Sequence, residues 1–133
     1  MRTIARLGCA LVITVAAATV ARAQGAMPAG VMSHKVGDKT ILADAKMMTL
    51  YTYTRDTVAG KSVCNGRCAE NWPPLVADAN AKPTGDWTVV TRDDGSKMWA
   101  YKGKPLYLYA RDKATGEMTG DGAGQGAWKV AVP

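Results

Sequence analysis

The sequence predicts a mainly β fold: a small single domain of two pseudo-symmetric β repeat units with long turns and one short disulfide loop. Three observations carry this. Short runs of aromatic and β-branched residues alternate with turn formers. No window of helical length carries a convincing apolar stripe. The chain also matches itself when slid by 56 residues.

The elements follow in order. Residues 24–39 are rich in small residues and turn formers and predict a flexible leader. Residues 49–55 (TLYTYTR) predict a strand that ends at Asp56. A helix fits best near Gly66 to Asn71, where Trp72-Pro73-Pro74 ends it. Trp87 to Thr91 predicts the next strand, and Asp94-Gly95 a hairpin turn. Lys97 to Tyr101 returns, residues 102–104 turn again, Leu106 to Arg111 forms a strand, and Ala127 to Val132 closes the chain.

In the 56-residue register Leu50-Tyr51-x-Tyr53-x-Arg55-Asp56 falls on Leu106-Tyr107-x-Tyr109-x-Arg111-Asp112. Without a gap, Gly60 meets Gly116, Gly66 meets Gly122, Trp72 meets Trp128, Val76 meets Val132 and Lys46 meets Lys102. These ten identities between residues 41–76 and 97–132 exceed the roughly two or three that ordinary residue frequencies give by chance. The mature domain, residues 40–133, is therefore read as a duplication with repeat 1 about 41–76 and repeat 2 about 97–132. Strand alternation puts Leu106, Leu108 and Ala110 on one face and Tyr107, Tyr109 and Arg111 on the other. A guanidinium can stack on a phenol two residues away, and an aspartate can accept its hydrogen bonds or initiate a turn. The favoured role of Tyr51, Tyr53, Arg55, Asp56 and Trp72, with Tyr107, Tyr109, Arg111, Asp112 and Trp128, is to define the fold. The alternative is a paired aromatic binding face.

Arg2 and Arg6, the apolar stretch from Leu7 to Val20 and Ala21-Arg22-Ala23 have the three parts of a secretory signal peptide over residues 1–23. Cleavage near Ala23-Gln24 would release a periplasmic or secreted chain. It would remove three arginines and no acid, lowering the net charge from +6 to +3, which disfavours nucleic acid as a partner. No apolar run is long enough to span a membrane. Cys9 precedes most of the apolar stretch, where a lipidated cysteine would follow it. Cys64 and Cys68 remain after cleavage, and in an oxidising compartment they are expected to form a disulfide.

The Tyr-x-Tyr-x-x-Asp element, Cys64-x-x-x-Cys68 followed by Trp72-Pro73-Pro74-Leu75, and Gly103-Lys-Pro-Leu-Tyr-Leu-Tyr-x-x-Asp112 resemble the bacterial "secreted repeat" family. This family is also described as predicted lipoproteins with a conserved Yx(FWY)xxD motif. The resemblance covers about residues 41–133 and implies export, with no particular chemistry. Many members look like lipoproteins, and this lipoprotein-like chain departs from them in lacking a usable lipobox. Gly120 and Gly124 occupy the places of Cys64 and Cys68 in the second copy, so the disulfide is not intrinsic to the repeat.

Enzyme chemistry finds little support. His34 is the only histidine and falls in the leader, away from a core nucleophile. The Gly120–Gly126 run lacks the spacing of a phosphate loop. For the cysteine pair, a structural bridge is preferred to a redox role, which usually uses C-x-x-C, and to a zinc site, which needs further ligands. Met27, Met32 and His34 lie close in sequence, and thioether and imidazole suit copper. The expectation is a non-enzymatic, exported cell-envelope binding or interaction module without a cofactor, whose partner is an unspecified envelope component. Periplasmic copper handling or a redox-related role is the alternative.

Overall fold

A computed structural model describes residues 26–133. The expected signal peptide, with Cys9, lies outside the described residues. Repeat 1 contains β1 (Val31–Val36), β2 (Lys39–Asp44), β3 (Tyr51–Tyr53) and α1 (Arg67–Asn71). Repeat 2 contains β4 (Trp87–Thr91), β5 (Lys97–Tyr101), β6 (Lys104–Pro105), α2 (Ala123–Gly126) and β7 (Trp128–Val130). Among the described residues no helix is long and apolar enough to cross a membrane.

Each repeat opens with an antiparallel hairpin, β1–β2 in the first and β4–β5 in the second. This corrects the leader reading. Residues 31–36 form a strand that pairs from Val31↔Asp44 to Val36↔Lys39, around a two-residue turn in which Gly37 takes φ 59. That leading glycine suits hairpin twist, and Met32, His34 and Val36 share the half-buried face of β1. Adding 56 to the start of β1 gives the start of β4, so each structural repeat begins ten residues before the range the identities mark, 41–76 and 97–132.

The repeats are interleaved. β3 of repeat 1 pairs with β7 of repeat 2 over Tyr51↔Val130 to Tyr53↔Trp128. The matching pairing in the other direction is the bridge Pro74↔Tyr107. Between them Tyr51 and Tyr107 pair with each other: the Tyr51 N–H donates to the Tyr107 carbonyl at 2.8 Å, and the Tyr107 N–H to the Tyr51 carbonyl at 2.9 Å. Homologous residues thus face one another across a pseudo-two-fold axis.

Residues 106–111 do not form the regular strand their composition predicts; only Tyr107 makes ladder contacts, one on each side. Pro105, Pro73 and Pro74 carry no N–H and interrupt the ladders that would extend it. The predicted two-faced character nevertheless holds. Leu50 and Leu106 pack into one core cluster with Leu42, Leu75, Trp87 and Trp99. Tyr51 and Tyr107 pack into a second with Trp72, Trp128, Met98 and Cys64. The repeated segment therefore runs through the middle of the molecule and buries both faces.

α1 is a single turn closed by the Trp72 N–H on the Cys68 carbonyl. α2 is a distorted turn at the homologous place, with Gly124 and Gln125 in left-handed conformations (φ 63 and 59).

Candidate functional site

The repeated residues meet at the pseudo-symmetry axis, but not as a surface motif. Tyr51 and Tyr107 are fully buried, Trp72 and Trp128 nearly so, Tyr53 and Tyr109 are half-buried, and Arg55 and Arg111 are exposed. The stacking open to each arginine on the phenol two residues away does not occur; among the described residues the cation over a ring is Lys102 on Tyr101. Once the chain leaves the Tyr51–Tyr107 crossing it rises to the surface. The third residue of the alternating face is therefore in water.

Four rings form one continuous column. Tyr53 stacks on Trp128 (centroids 4.2 Å, planes 15° apart), Trp128 on Trp72 (3.8 Å, 3°) and Trp72 on Tyr109 (4.1 Å, 23°). Each tyrosine stacks on the tryptophan of the opposite repeat, and the two tryptophans stack on each other at the axis. Tyr51 and Tyr107 close the sides edge-on, against Trp72 at 5.3 Å and Trp128 at 5.1 Å. Stacked and edge-to-face pairs each add about 0.5–1.5 kcal/mol beyond burial, so the column is a major source of cohesion.

The aspartates explain the motif's spacing. Oδ1 of Asp56 accepts the Val63 N–H at 2.8 Å, and Oδ1 of Asp112 accepts the Thr119 N–H at 3.1 Å, each tying its own loop seven residues on. The other oxygen of each accepts a phenol from the other repeat: Tyr107 donates to Asp56 Oδ2 at 2.5 Å and Tyr51 to Asp112 Oδ2 at 2.6 Å. Burial, reinforced by these bonds, holds both phenols protonated well above the usual tyrosine range. Burial also raises the Asp56 carboxyl, against the opposing pull of Tyr107, the Val63 N–H and Arg92.

The two copies differ around this shared frame. Around Asp56 the Tyr107 proton is committed to the carboxylate, so Ser62 donates to Tyr107 Oη at 2.7 Å and itself accepts from the buried Arg92 guanidinium at 3.1 Å. Arg92 also donates to the Cys64 carbonyl at 2.7 Å. Around Asp112 the positions equivalent to Arg92 and Ser62 carry Val36 and Met118. There Tyr51 Oη accepts the Gly120 N–H at 3.3 Å, and Asp112 also accepts the Thr119 hydroxyl. Sequence reasoning missed Arg92, Ser62 and Thr119. Only the register extended upstream would have paired Arg92 with Val36, and that stretch keeps a single identity, Asp38 with Asp94.

Cys64 and Cys68 form a disulfide, with Cα atoms 5.2 Å apart, across the loop that enters α1. Cys64 is fully buried in the aromatic cluster. Met32 and His34 sit on one face of β1, and a Cβ placed on Gly116 would lie 3.3 Å from His34 Nε2. Met27 is exposed and precedes the strand.

At one end of the column a shallow depression of about 270 Å³ is lined by Trp72, Trp128, Tyr109, Arg111, Asn71 and Gly124 among others. Gly124 and its neighbour Ala123 stand where repeat 1 has the larger Cys68 and Arg67. Among the described residues no protein acceptor takes the Trp128 indole N–H, and no buried side-chain N or O atom lacks a partner, so that N–H is open to water or a ligand.

The model of a family described as a secreted repeat of unknown function matches the chain twice, over residues 32–76 and 88–132. The chain belongs to this secreted-repeat family. The two matched repeats are offset by the same 56 residues as the identities, and both begin inside the opening hairpin, at β1 and β4. No curated protein and no solved structure gives a match. In this secreted-repeat protein the motif's tyrosines and aspartates are thus the clasp between repeats, and the open chemistry lies beside them.

Proposed function

We propose that the protein is a non-enzymatic binding module of the cell envelope, exported through cleavage after Ala23, whose ligand is an envelope glycan seated in the depression at Tyr109 and Arg111. The observation that carries this reading is the combination of aromatic edges with unengaged donors. Tyr109 and the rims of Trp72 and Trp128 offer apolar surface to a sugar ring, while Arg111 and the free Trp128 indole N–H offer donors to its oxygens. A volume of about 270 Å³ suits one sugar residue of a longer chain. The non-enzymatic part is supported by the clasp itself. Both repeated carboxylates are occupied by internal donors and both buried phenols are held protonated, leaving neither available as a base or nucleophile toward an external substrate.

The test is a fluorescence and calorimetric titration of the exported protein with peptidoglycan fragments and acidic oligosaccharides. Binding that quenches tryptophan emission and is weakened by Arg111→Ala and Tyr109→Ala is the expected result. Unchanged binding in both variants, or no binding across the panel, overturns the assignment.

One observation favours copper handling as a second reading: Met32 and His34, a thioether and an imidazole, share a face of β1 rather than a flexible leader. Copper titration of wild type and His34→Ala tests it; a shift in melting temperature lost in the variant supports it, and identical shifts refute it.

A further inference from the structure

The column and the clasp are continuous, and together they have a chemistry that packing does not require. Tyr53, Trp128, Trp72 and Tyr109 stack at centroid spacings of 3.8–4.2 Å, so one electron can move along the whole column through overlapping π systems. Both inner members touch a buried phenol edge-on, Trp72 against Tyr51 and Trp128 against Tyr107. Each of those phenols already points its proton at a carboxylate oxygen, at 2.6 and 2.5 Å.

We propose that the column is a hole-transfer path that carries one-electron oxidation from the surface to Tyr51 and Tyr107. The initiating co-reactant is an outer-sphere one-electron oxidant of the oxidising compartment. It takes one electron from an accessible edge of the column and is itself reduced by one electron. The vacancy settles on the Trp72–Trp128 pair, which has the largest and most electron-rich rings. An electron then passes from the Tyr51 or Tyr107 phenol to the oxidised indole, which returns to its neutral form. In the same step the phenolic proton moves to Asp112 or Asp56, leaving a neutral phenoxyl radical beside a neutral carboxylic acid. The proton acceptor is what makes the phenol a sink: without one, oxidation would leave a cationic phenol in a desolvated core.

The placement protects the product. Tyr51 and Tyr107 are fully buried, so a phenoxyl there cannot couple with a second protein, and it can be reduced again by an electron returning along the same column. The fold also contains its own contrast. Tyr101 lies 4.6 Å from Trp87 in the other region of the core, and no carboxylate bonds its hydroxyl among the described residues. An aromatic pair alone is therefore common to both places, and the aligned proton acceptor belongs only to the clasp.

Flash photo-oxidation of the full exported chain with a ruthenium polypyridyl sensitiser tests this, read by transient absorption and electron paramagnetic resonance. In wild type the indolyl signal decays into a phenoxyl signal, and the step slows in deuterated water because the proton moves with the electron. The double variant Tyr51→Phe/Tyr107→Phe loses most of the phenoxyl yield and keeps a long-lived indolyl radical, whereas Tyr101→Phe behaves as wild type. Undiminished phenoxyl in the double variant, or its loss in Tyr101→Phe, overturns the proposal. The isotope effect needs no substitution, and its absence in wild type overturns the proposal even where the double variant fails to fold.

Discussion

Removing the Tyr51 hydroxyl should cost more stability than removing that of Tyr107, although the Tyr107 bond is the shorter. In Tyr51→Phe, Asp112 keeps Thr119 but loses the donor to Oδ2, and the Gly120 N–H loses its acceptor. Asp112 is 6% exposed, so water repairs little. A hydrogen bond to a charged group contributes about 1.5–3 kcal/mol net, and the upper part of that range applies here. The melting temperature of a domain this size should fall by about 10 °C. In Tyr107→Phe the Ser62 hydroxyl loses its acceptor but, unlike a fixed backbone N–H, can rotate while keeping its bond from Arg92, and Asp56 is only half-buried, keeps the Val63 N–H and stays in the field of Arg92. About 1.5 kcal/mol is expected there.

Two double-mutant cycles by chemical denaturation separate the clasp from a within-repeat motif. The cross-repeat cycle, Tyr51→Phe with Asp112→Asn, should show a coupling of about 1.5 kcal/mol or more. The same-repeat cycle, Tyr51→Phe with Asp56→Asn, should be additive within about 0.5 kcal/mol, as for residues that share no bond. A larger coupling inside one repeat than across the two would refute the reasoning.

Three further outcomes follow. Reducing the Cys64–Cys68 bridge should destabilise by about 2 kcal/mol on chain-entropy grounds, given so short a loop, without unfolding the domain, as thiol-dependent denaturation curves will show. Gly120→Ala should cost about 1–3 kcal/mol by overpacking, because its Cβ would lie 2.5 Å from Trp72 Cη2 and 2.9 Å from Tyr109 Cδ1; near-ultraviolet circular dichroism should report the opened stack, and an unchanged spectrum and stability would contradict this contact. The folded pKa values of Tyr51 and Tyr107 are raised, so the stability they contribute is complete below the unfolded tyrosine value of about 10 and is lost as pH rises beyond it. Phenolate absorbance for two tyrosines should therefore appear only together with unfolding, and this late component should vanish in the Tyr51→Phe/Tyr107→Phe variant.

The duplication was legible because Leu50 to Asp56 and Leu106 to Asp112 repeat the residues that make the crossing. The opening hairpin was not. β1 is half-buried on one face only, and its sequence, between Gly30 and Gly37, reads as polar and turn-rich, whereas its homologue β4 is β-branched and aromatic. A register shows which residues are equivalent but not which copy they touch, so the exchange of Tyr51 to Asp112 and Tyr107 to Asp56 was invisible. Alternation alone made arginine stacking a possibility. Alternation fixes the face of Arg55 and Arg111 but not the depth at which the strand has already left the core.

The clasp also explains why the motif occurs in two copies. Each aspartate uses one oxygen to fasten its own loop and presents the other to a phenol that only a second repeat supplies. A solitary repeat would bury an unpaired phenol beside an unpaired carboxylate, and its tryptophan would lack both stacking partners. Two copies satisfy one another, and the pair is the unit of stability. Positions outside the exchange are then free to diverge, and they have done so: Arg92 and Ser62 against Val36 and Met118, and the disulfide loop against the glycine-rich loop. The depression opens on the divergent side, at Gly124 and Ala123, over rings that the conserved side holds fixed. On the proposed reading, recognition is to be sought where the repeats differ, and cohesion lies where they agree.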